Sequence, residues 1–310
     1  MKNGRTVSPV LLVVLTFVLL ATAEGAPKLT FKFTTIEVKG AQDTRVFGTN
    51  DAGVMVGAYV DSSGVDHGFM LKGGKVTTLD DSKGTTTNCL GINLAGDLVG
   101  YYLNSSGAVQ AFLRHGKKFT DIGPTGATSS EAFGINDKGN ITGYFVDTNG
   151  ATHGFLWNGK KYKQLDVPGS LSTLAWGINN NGLVTVQGTD SSGNTEGAIY
   201  NGKKYTTIKL PGAVSSYPHG IDLAGDVVFS WTDSSGIFHG ALRTGGKYYK
   251  FNDPKGTDGT YGDGINDNRL VVGFTTPTAG ERRKVSRRFT EAKEKSLCTL
   301  ADRVSGASYW

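Results

Sequence analysis

Cysteine is almost missing from this chain: 310 residues hold only Cys89 and Cys298. A small exported scaffold stapled by disulfides would carry more, so two unpaired thiols fit better than a Cys89–Cys298 bridge. Charge is also sparse, at 19% of residues. The body lacks the 3.6-residue apolar periodicity of helices. There is no Gly-x-Ser-x-Gly elbow, no His-Glu-x-x-His, no Gly-x-x-x-x-Gly-Lys and no cysteine cluster. This removes the common signatures of serine hydrolases, zinc proteases and phosphate-loop enzymes. The net charge of +5 looks basic but sits at the ends. Lys2 and Arg5 open the chain, and Glu281–Trp310 sets eight Lys/Arg against four Asp/Glu. The segment between is near neutral, so it offers no basic stripe for nucleic acid.

Only one long apolar run is present. Val10 to Leu20 follows the basic start and precedes Ala21-Thr22-Ala23. At about a dozen residues it is short for a membrane span, and with the A-x-A signature it reads as a secretory leader over 1–23. The expected product is a secreted or periplasmic chain without stable membrane insertion once processed. No cysteine follows the run to carry a lipid.

Glycine, by contrast, is abundant, with 45 residues. Its distribution is periodic. Gly-Ile-Asn or a near variant starts at Gly48, Gly91, Gly134, Gly177, Gly220 and Gly264, at intervals of 43, 43, 43, 43 and 44 residues. A period of this length suits four-stranded propeller blades. The third copy shows the four strand-like runs: Ser130–Ile135, Asn140–Val146, His153–Trp157 and Lys161–Val167. Between them, Asn136-Asp137-Lys138-Gly139, Asp147-Thr148-Asn149-Gly150 and Asn158-Gly159 carry turn chemistry.

The segment just after the leader matches the end of a repeat. Phe33–Gly40 (FTTIEVKG) parallels Tyr205–Gly212 (YTTIKLPG). A fourth strand with no third strand before it makes sense in a ring, where it completes the last blade and removes an open sheet edge. The expectation is an all-β, closed β-propeller of about six four-stranded blades over 24–280. The sixth repeat breaks off after Pro277-Thr278-Ala279-Gly280, where Glu281-Arg282-Arg283-Lys284 replaces the third strand. The tail 281–310 is either a cap with a short helix near Glu291–Val304 or the product of a shifted reading frame.

With these motifs the chain resembles the HAF-repeat family of extracellular bacterial proteins, named for a His-Ala-Phe triplet. The resemblance covers roughly 31–280 and is loose at the triplet: His67-Gly68-Phe69, Gln110-Ala111-Phe112, His153-Gly154-Phe155, Glu196-Gly197-Ala198 and His239-Gly240-Ala241. It implies an exported repeat protein and brings no catalytic residues.

The recurring polar residues read as architecture. The Asn/Asp set Asn50, Asn93, Asn136, Asn179, Asp222 and Asn266 is followed three residues on by Gly in five of six copies, a turn signature. His67, His153 and His239 are replaced by Gln110 and Glu196 elsewhere, as expected of a side chain bonding to a nearby turn. The Asp-Ser-Ser-Gly loops offer too few carboxylates for calcium. No metal and no cofactor is expected.

Function on a repeat scaffold belongs where the copies differ. Three residues before each repeat Gly stand Arg45, Asn88, Glu131, Leu174, Tyr217 and Tyr261, a variable set expected on a rim facing solvent or the channel. One residue before stand Phe47, Leu90, Phe133, Trp176, His219 and Asp263, four of them large and apolar and expected in the core between blades. His219 and Asp263 break that pattern in neighbouring copies. The candidate ligand-binding set is therefore Arg45, Asn88, Glu131, Tyr217, His219, Tyr261 and Asp263. The reading is a monomeric, non-catalytic scaffold for a protein, peptide or glycan. The alternative is a propeller hydrolase or lyase acting on carbohydrate or a lactone with a central divalent ion.

Overall fold

The computed structural model describes residues 14–20, 28–254, 256 and 259–276. All regular structure among them is β. Each of the first five repeats folds as an antiparallel four-stranded meander. The third copy runs Ser129–Ile135, Ile141–Val146, Thr152–Trp157 and Tyr162–Leu165, within two residues of the expected bounds. A single parallel bridge, Thr152 to Ser172, joins its sheet to the next one.

The turns show why this sequence makes short strands. Asn136 accepts from its own loop through Oδ1, at 3.1 Å from Lys138 N and 3.0 Å from Asn140 N. Gly139 closes the turn at φ 74°, a left-handed conformation that glycine adopts without a Cβ penalty. The sixth copy has Arg269 in that place, at φ 61°.

Apolar clusters lie between consecutive sheets. Val99, Ala111 and Ile122 of the second repeat pack with Ala132, Ile141 and Phe155 of the third. The third-strand aromatics Phe69, Phe112 and Phe155 are fully buried. Glycines on the second strand allow the close packing. A methyl group on Gly143 would collide with the Glu131 carbonyl oxygen and the Phe155 ring.

The last sheet departs from expectation. Its order is Lys28–Lys32, Val14–Leu20, Val271–Thr275, Thr260–Ile265. The N-terminal segment does join it, but with two strands. The outer strand is Lys28–Lys32, and 33–38 runs on without a ladder. The physical reason is that a strand needs a hydrogen-bonding neighbour, and the repeat supplies no third strand beside 33–36. The neighbour available is Val14–Leu20, within the run read as a leader. Ile36 and Val38 instead pack beside Val46 and Val272. Cys89 is a buried free thiol, pushed up to about 12 by desolvation and so chemically inert. Cys298, the tail and its expected helix lie outside the described residues.

Candidate functional site: the collar of bulge residues

The first strand of every repeat slips register against the second beside its repeat Gly, and the second repeat slips once more at Gly84/Thr86. The breaks beside the repeat Gly fall at Val46/Gly48, Cys89/Gly91, Ala132/Gly134, Ala175/Ile178, Pro218/Ile221 and Gly262/Gly264. Inside each of these breaks, alone or (in the fourth and fifth repeats) followed by the repeat Gly, lies a residue without a ladder partner, and a bulge re-aims its side chain. These residues are Phe47, Leu90, Phe133, Trp176, His219 and Asp263. They line one cavity of about 120 Å³ together with the repeat glycines and the following Ile or Thr side chains.

Expectation and structure therefore trade places. The apolar set expected between blades faces the cavity. The variable set expected on a rim is inside. Arg45, Asn88, Tyr217 and Tyr261 are at most 9% exposed. Strict two-residue alternation would put both sets on one face. The extra residue of the bulge separates them.

The internal positions form two groups. Arg45 lies between Asp43, at 3.1 Å, and Asp66. Glu131 accepts from Tyr144 Oη at 2.9 Å, and desolvation raises its carboxyl to about 7. Arg45 and Glu131 both act electrostatically on the buried Tyr101 between them. Asn88, paired in the ladder with Tyr101, has a buried Oδ1 with no hydrogen-bond partner among the described residues. In the fifth and sixth repeats the group is aromatic. Phe238 sits between Tyr217 (5.7 Å) and Tyr261 (4.6 Å), and Tyr261 stacks on Phe274 at 4.4 Å. These tyrosines fill space between sheets and are not exposed contacts.

His219 and Asp263 do come together. His219 Nδ1 is 3.1 Å from Asp263 Oδ1 and 2.9 Å from Gly262 O, so its N–H serves both acceptors. Burial raises the Asp263 carboxyl, and the His219 contact opposes this. His219 Nε2 and Asp263 Oδ2 are buried and find no hydrogen-bond partner among the described residues. On the other side, His219 rests on Trp176 at 4.4 Å, and Trp176 stacks on Phe133 at 4.0 Å and 9°. Trp176 is held in place by donating from Nε1 to Gln187 Oε1 at 2.8 Å. The collar is thus apolar over four repeats and carries one imidazole–carboxyl pair. Such a mixture, mostly apolar with a few converging polar groups, is the usual composition of a ligand site.

The glycines beside the bulges explain the close approach of the inner strands. A Cβ on Gly134 would lie 2.6 Å from Trp176 O, and one on Gly91 2.7 Å from Phe133 O. A recurring Gly directly after a variable large residue is the signal in the sequence that could have pointed to these bulges.

The Asn set is structural. Beyond accepting its own turn N–H groups, each Asn donates from Nδ2 to the matching carbonyl of the next repeat. Asn50 reaches Asn93 O at 2.9 Å, Asn136 reaches Asn179 O at 3.0 Å, and Asn179 reaches Asp222 O at 2.8 Å. Asn266 reaches Asn50 O at 2.8 Å, linking the last repeat to the first. The Asp222 side chain has no N–H to give. Its Oδ1 accepts Asp226 N at 2.8 Å, and desolvation raises its carboxyl to about 6.

The triplet histidines are structural as well. His153 Nδ1 is 2.9 Å from Asp166 and its Nε2 3.6 Å from the turn residue Asp147. His67 and His239 bridge matching positions. Among the described residues, no group of three or more His, Cys, Asp or Glu is arranged to hold a metal.

No family model and no curated protein matches the chain. Solved structures do. AofleA from Arthrobotrys oligospora is 12% identical, covering 75% of this chain and 79% of its own, with a TM-score of 0.50. SapL1 lectin in complex with alpha methyl fucoside is 12% identical, covering 75% and 88%, also at 0.50. A mutant of Aleuria aurantia lectin with Fucalpha1-6GlcNAc is 12% identical over 76% and 89%, at 0.48. At this identity the likeness speaks for architecture alone: the chain is an all-β repeat protein, similar in fold to AofleA and to SapL1 lectin.

Proposed function

We propose that this chain is a closed, six-bladed β-propeller of the HAF-repeat type that acts outside the cytoplasm as a non-catalytic scaffold for a glycan. What supports closure is the Asn266 bond to Asn50 O, together with one cavity lined by matching residues of all six repeats. A glycan is favoured over a protein or peptide because the structural neighbours include a lectin bound to alpha methyl fucoside and because of the collar's chemistry.

The observation that carries the ligand reading is the collar itself. Phe47, Leu90, Phe133 and Trp176 present an apolar wall, and the His219–Asp263 pair interrupts it. A sugar ring offers an apolar C–H face and hydroxyl donors, which match such a wall and buried acceptor groups. The test is a glycan array probed with the full chain, with alpha methyl fucoside as soluble competitor. The reading expects binding to a defined glycan class that Asp263→Asn weakens. A blank array would refute it.

A further inference from the structure

The second strand of the sixth sheet, Val271–Thr275, pairs on one side with Thr260–Ile265 over five residue pairs. In the complete repeats its other side meets a third strand over its whole length; Ile141–Val146 pairs with Thr152–Trp157 through six residue pairs. In the sixth sheet that place is taken by Val14–Leu20, which pairs only at Val14–Val272 and Leu15–Val271. The same segment is joined to Lys28–Lys32 by five pairs. Beyond Lys32 the chain is fixed to the body. Phe31 and Phe33 pack against Phe251 at 5.0 and 6.5 Å, and with Leu29 they adjoin the cluster of Val228, Leu242, Phe251, Ile265 and Val271.

We infer that the edge of Val271–Thr275 is a strand-acceptor site whose occupant in this chain is its own Val14–Leu20, and that cutting the chain after Ala23 turns this place into a slot for an extended apolar strand. Three observations carry it. The repeat stops before supplying a third strand, as the charged Glu281–Lys284 shows. The segment that takes its place, VLTFVLL, is apolar but for Thr16 and β-prone, the composition of a strand buried on both faces. The anchors Phe31 and Phe33 lie after the A-x-A site, so Lys28–Lys32 stays with the body whether or not 1–23 is removed. Release of Val14–Leu20 then leaves a gap one strand wide, about 10 Å between the flanking strands, with backbone N–H and C=O groups unpaired along it. Such an edge binds by strand addition, and an open apolar edge left uncovered invites pairing with other chains.

This inference is independent of the glycan reading, because it concerns the outer half of one sheet and not the collar. Two measurements on the full chain test it. In a Cys298→Ser background, Val14→Cys with Val272→Cys is oxidised and compared with the off-register pair Leu19→Cys with Val272→Cys. The expected result is an intramolecular crosslink in the first pair and little in the second. An intermolecular crosslink, or equal yields for the two pairs, would overturn the assignment of the occupant.

The second measurement places a specific protease site between Ala23 and Lys28 and cuts the folded protein. A fluorescent peptide spanning residues 10–23 is then added. The uncut chain should exclude it, because the tethered strand competes at an effective concentration of roughly millimolar. The cut chain should bind it saturably and lose the original fragment. If cut and uncut chains bind equally, or neither binds, there is no slot. Unfolding midpoints under reducing conditions confirm that the cysteine variants retain the fold.

Discussion

Five of the six turn residues at the inner mouth are Asn, and the sixth is Asp222; Asp222→Asn should therefore stabilise the protein, and more so at neutral than at acidic pH. The structural cost of the carboxyl has two parts. Raised from 3.8 to about 6, it corresponds in full to roughly 3 kcal/mol. Asp222 is only 3% exposed, but its loop borders solvent and Arg269 lies nearby, so about half of that is a fair allowance for screening. The second part is the missing seam bond. Asn266 O accepts Arg269 N at 2.9 Å and stands where the other repeats also receive an Asn Nδ2. Supplying that donor adds about 1 kcal/mol. The gain at pH 7.5 is then about 2–3 kcal/mol.

The pH dependence follows from linkage. A carboxyl whose folded value is raised contributes most to stability when protonated in both states, below 3.8. That contribution is lost as pH rises through about 6. The native chain should thus weaken across this window more than the variant does. At pH 4.5 the protonated Asp222 can itself donate, so the difference should shrink below about 1 kcal/mol. Urea unfolding at pH 4.5, 6.0 and 7.5 reads both effects as midpoint shifts at constant slope. A gain of the same size at every pH, or a variant no more stable than the native chain at pH 7.5, would refute the reasoning.

Other expectations follow from neighbouring features. Glu131→Gln should remove a further loss of stability between pH 4.5 and about 8, because burial raises Glu131 to about 7; after allowance for partial exposure the effect is about 1–2 kcal/mol, read by the same unfolding series. Gly143→Ala should destabilise by about 3 kcal/mol or more through collision with the Glu131 carbonyl and Phe155, seen as a large fall in unfolding midpoint or a loss of folded protein. Arg269→Gly should stabilise by up to about 1 kcal/mol by relieving φ 61°, less what the 3.0 Å contact with Asp226 supplies; a lower thermal midpoint would contradict it.

The architecture was legible because it is written six times. The Gly-Ile-Asn period, the Asn-x-x-Gly turns and the strand-like runs each recur, and turn residues act locally, through their own backbone. The same holds for the Asn set and the triplet histidines, whose partners lie near in sequence or one repeat away. The direction of the variable side chains was harder to read. Alternation alone puts Arg45 and Phe47 on one face, and only the bulge between Val46 and Gly48 separates them. Tyr217 and Tyr261 looked like contact residues and are spacers around Phe238, whereas Phe133 and Trp176 looked like filler and line the cavity. The pairing of His219 with Asp263 was legible, because both broke the pattern at one position of adjacent copies. The place of Val14–Leu20 was not, because its composition also suits a leader and its partner strand is more than 250 residues away.

The central claim, that the collar of a ring of repeats holds a glycan, is tested most directly at Trp176. Isothermal titration of the array-selected glycan into the native chain and into Trp176→Leu should show binding in the first and at least a tenfold loss, about 1.4 kcal/mol, in the second. Gln187, which accepts from Trp176, would be changed to Leu in a companion variant to separate lost packing from lost contact, with unfolding midpoints measured alongside. Unchanged affinity in Trp176→Leu, with the fold intact, would contradict the account.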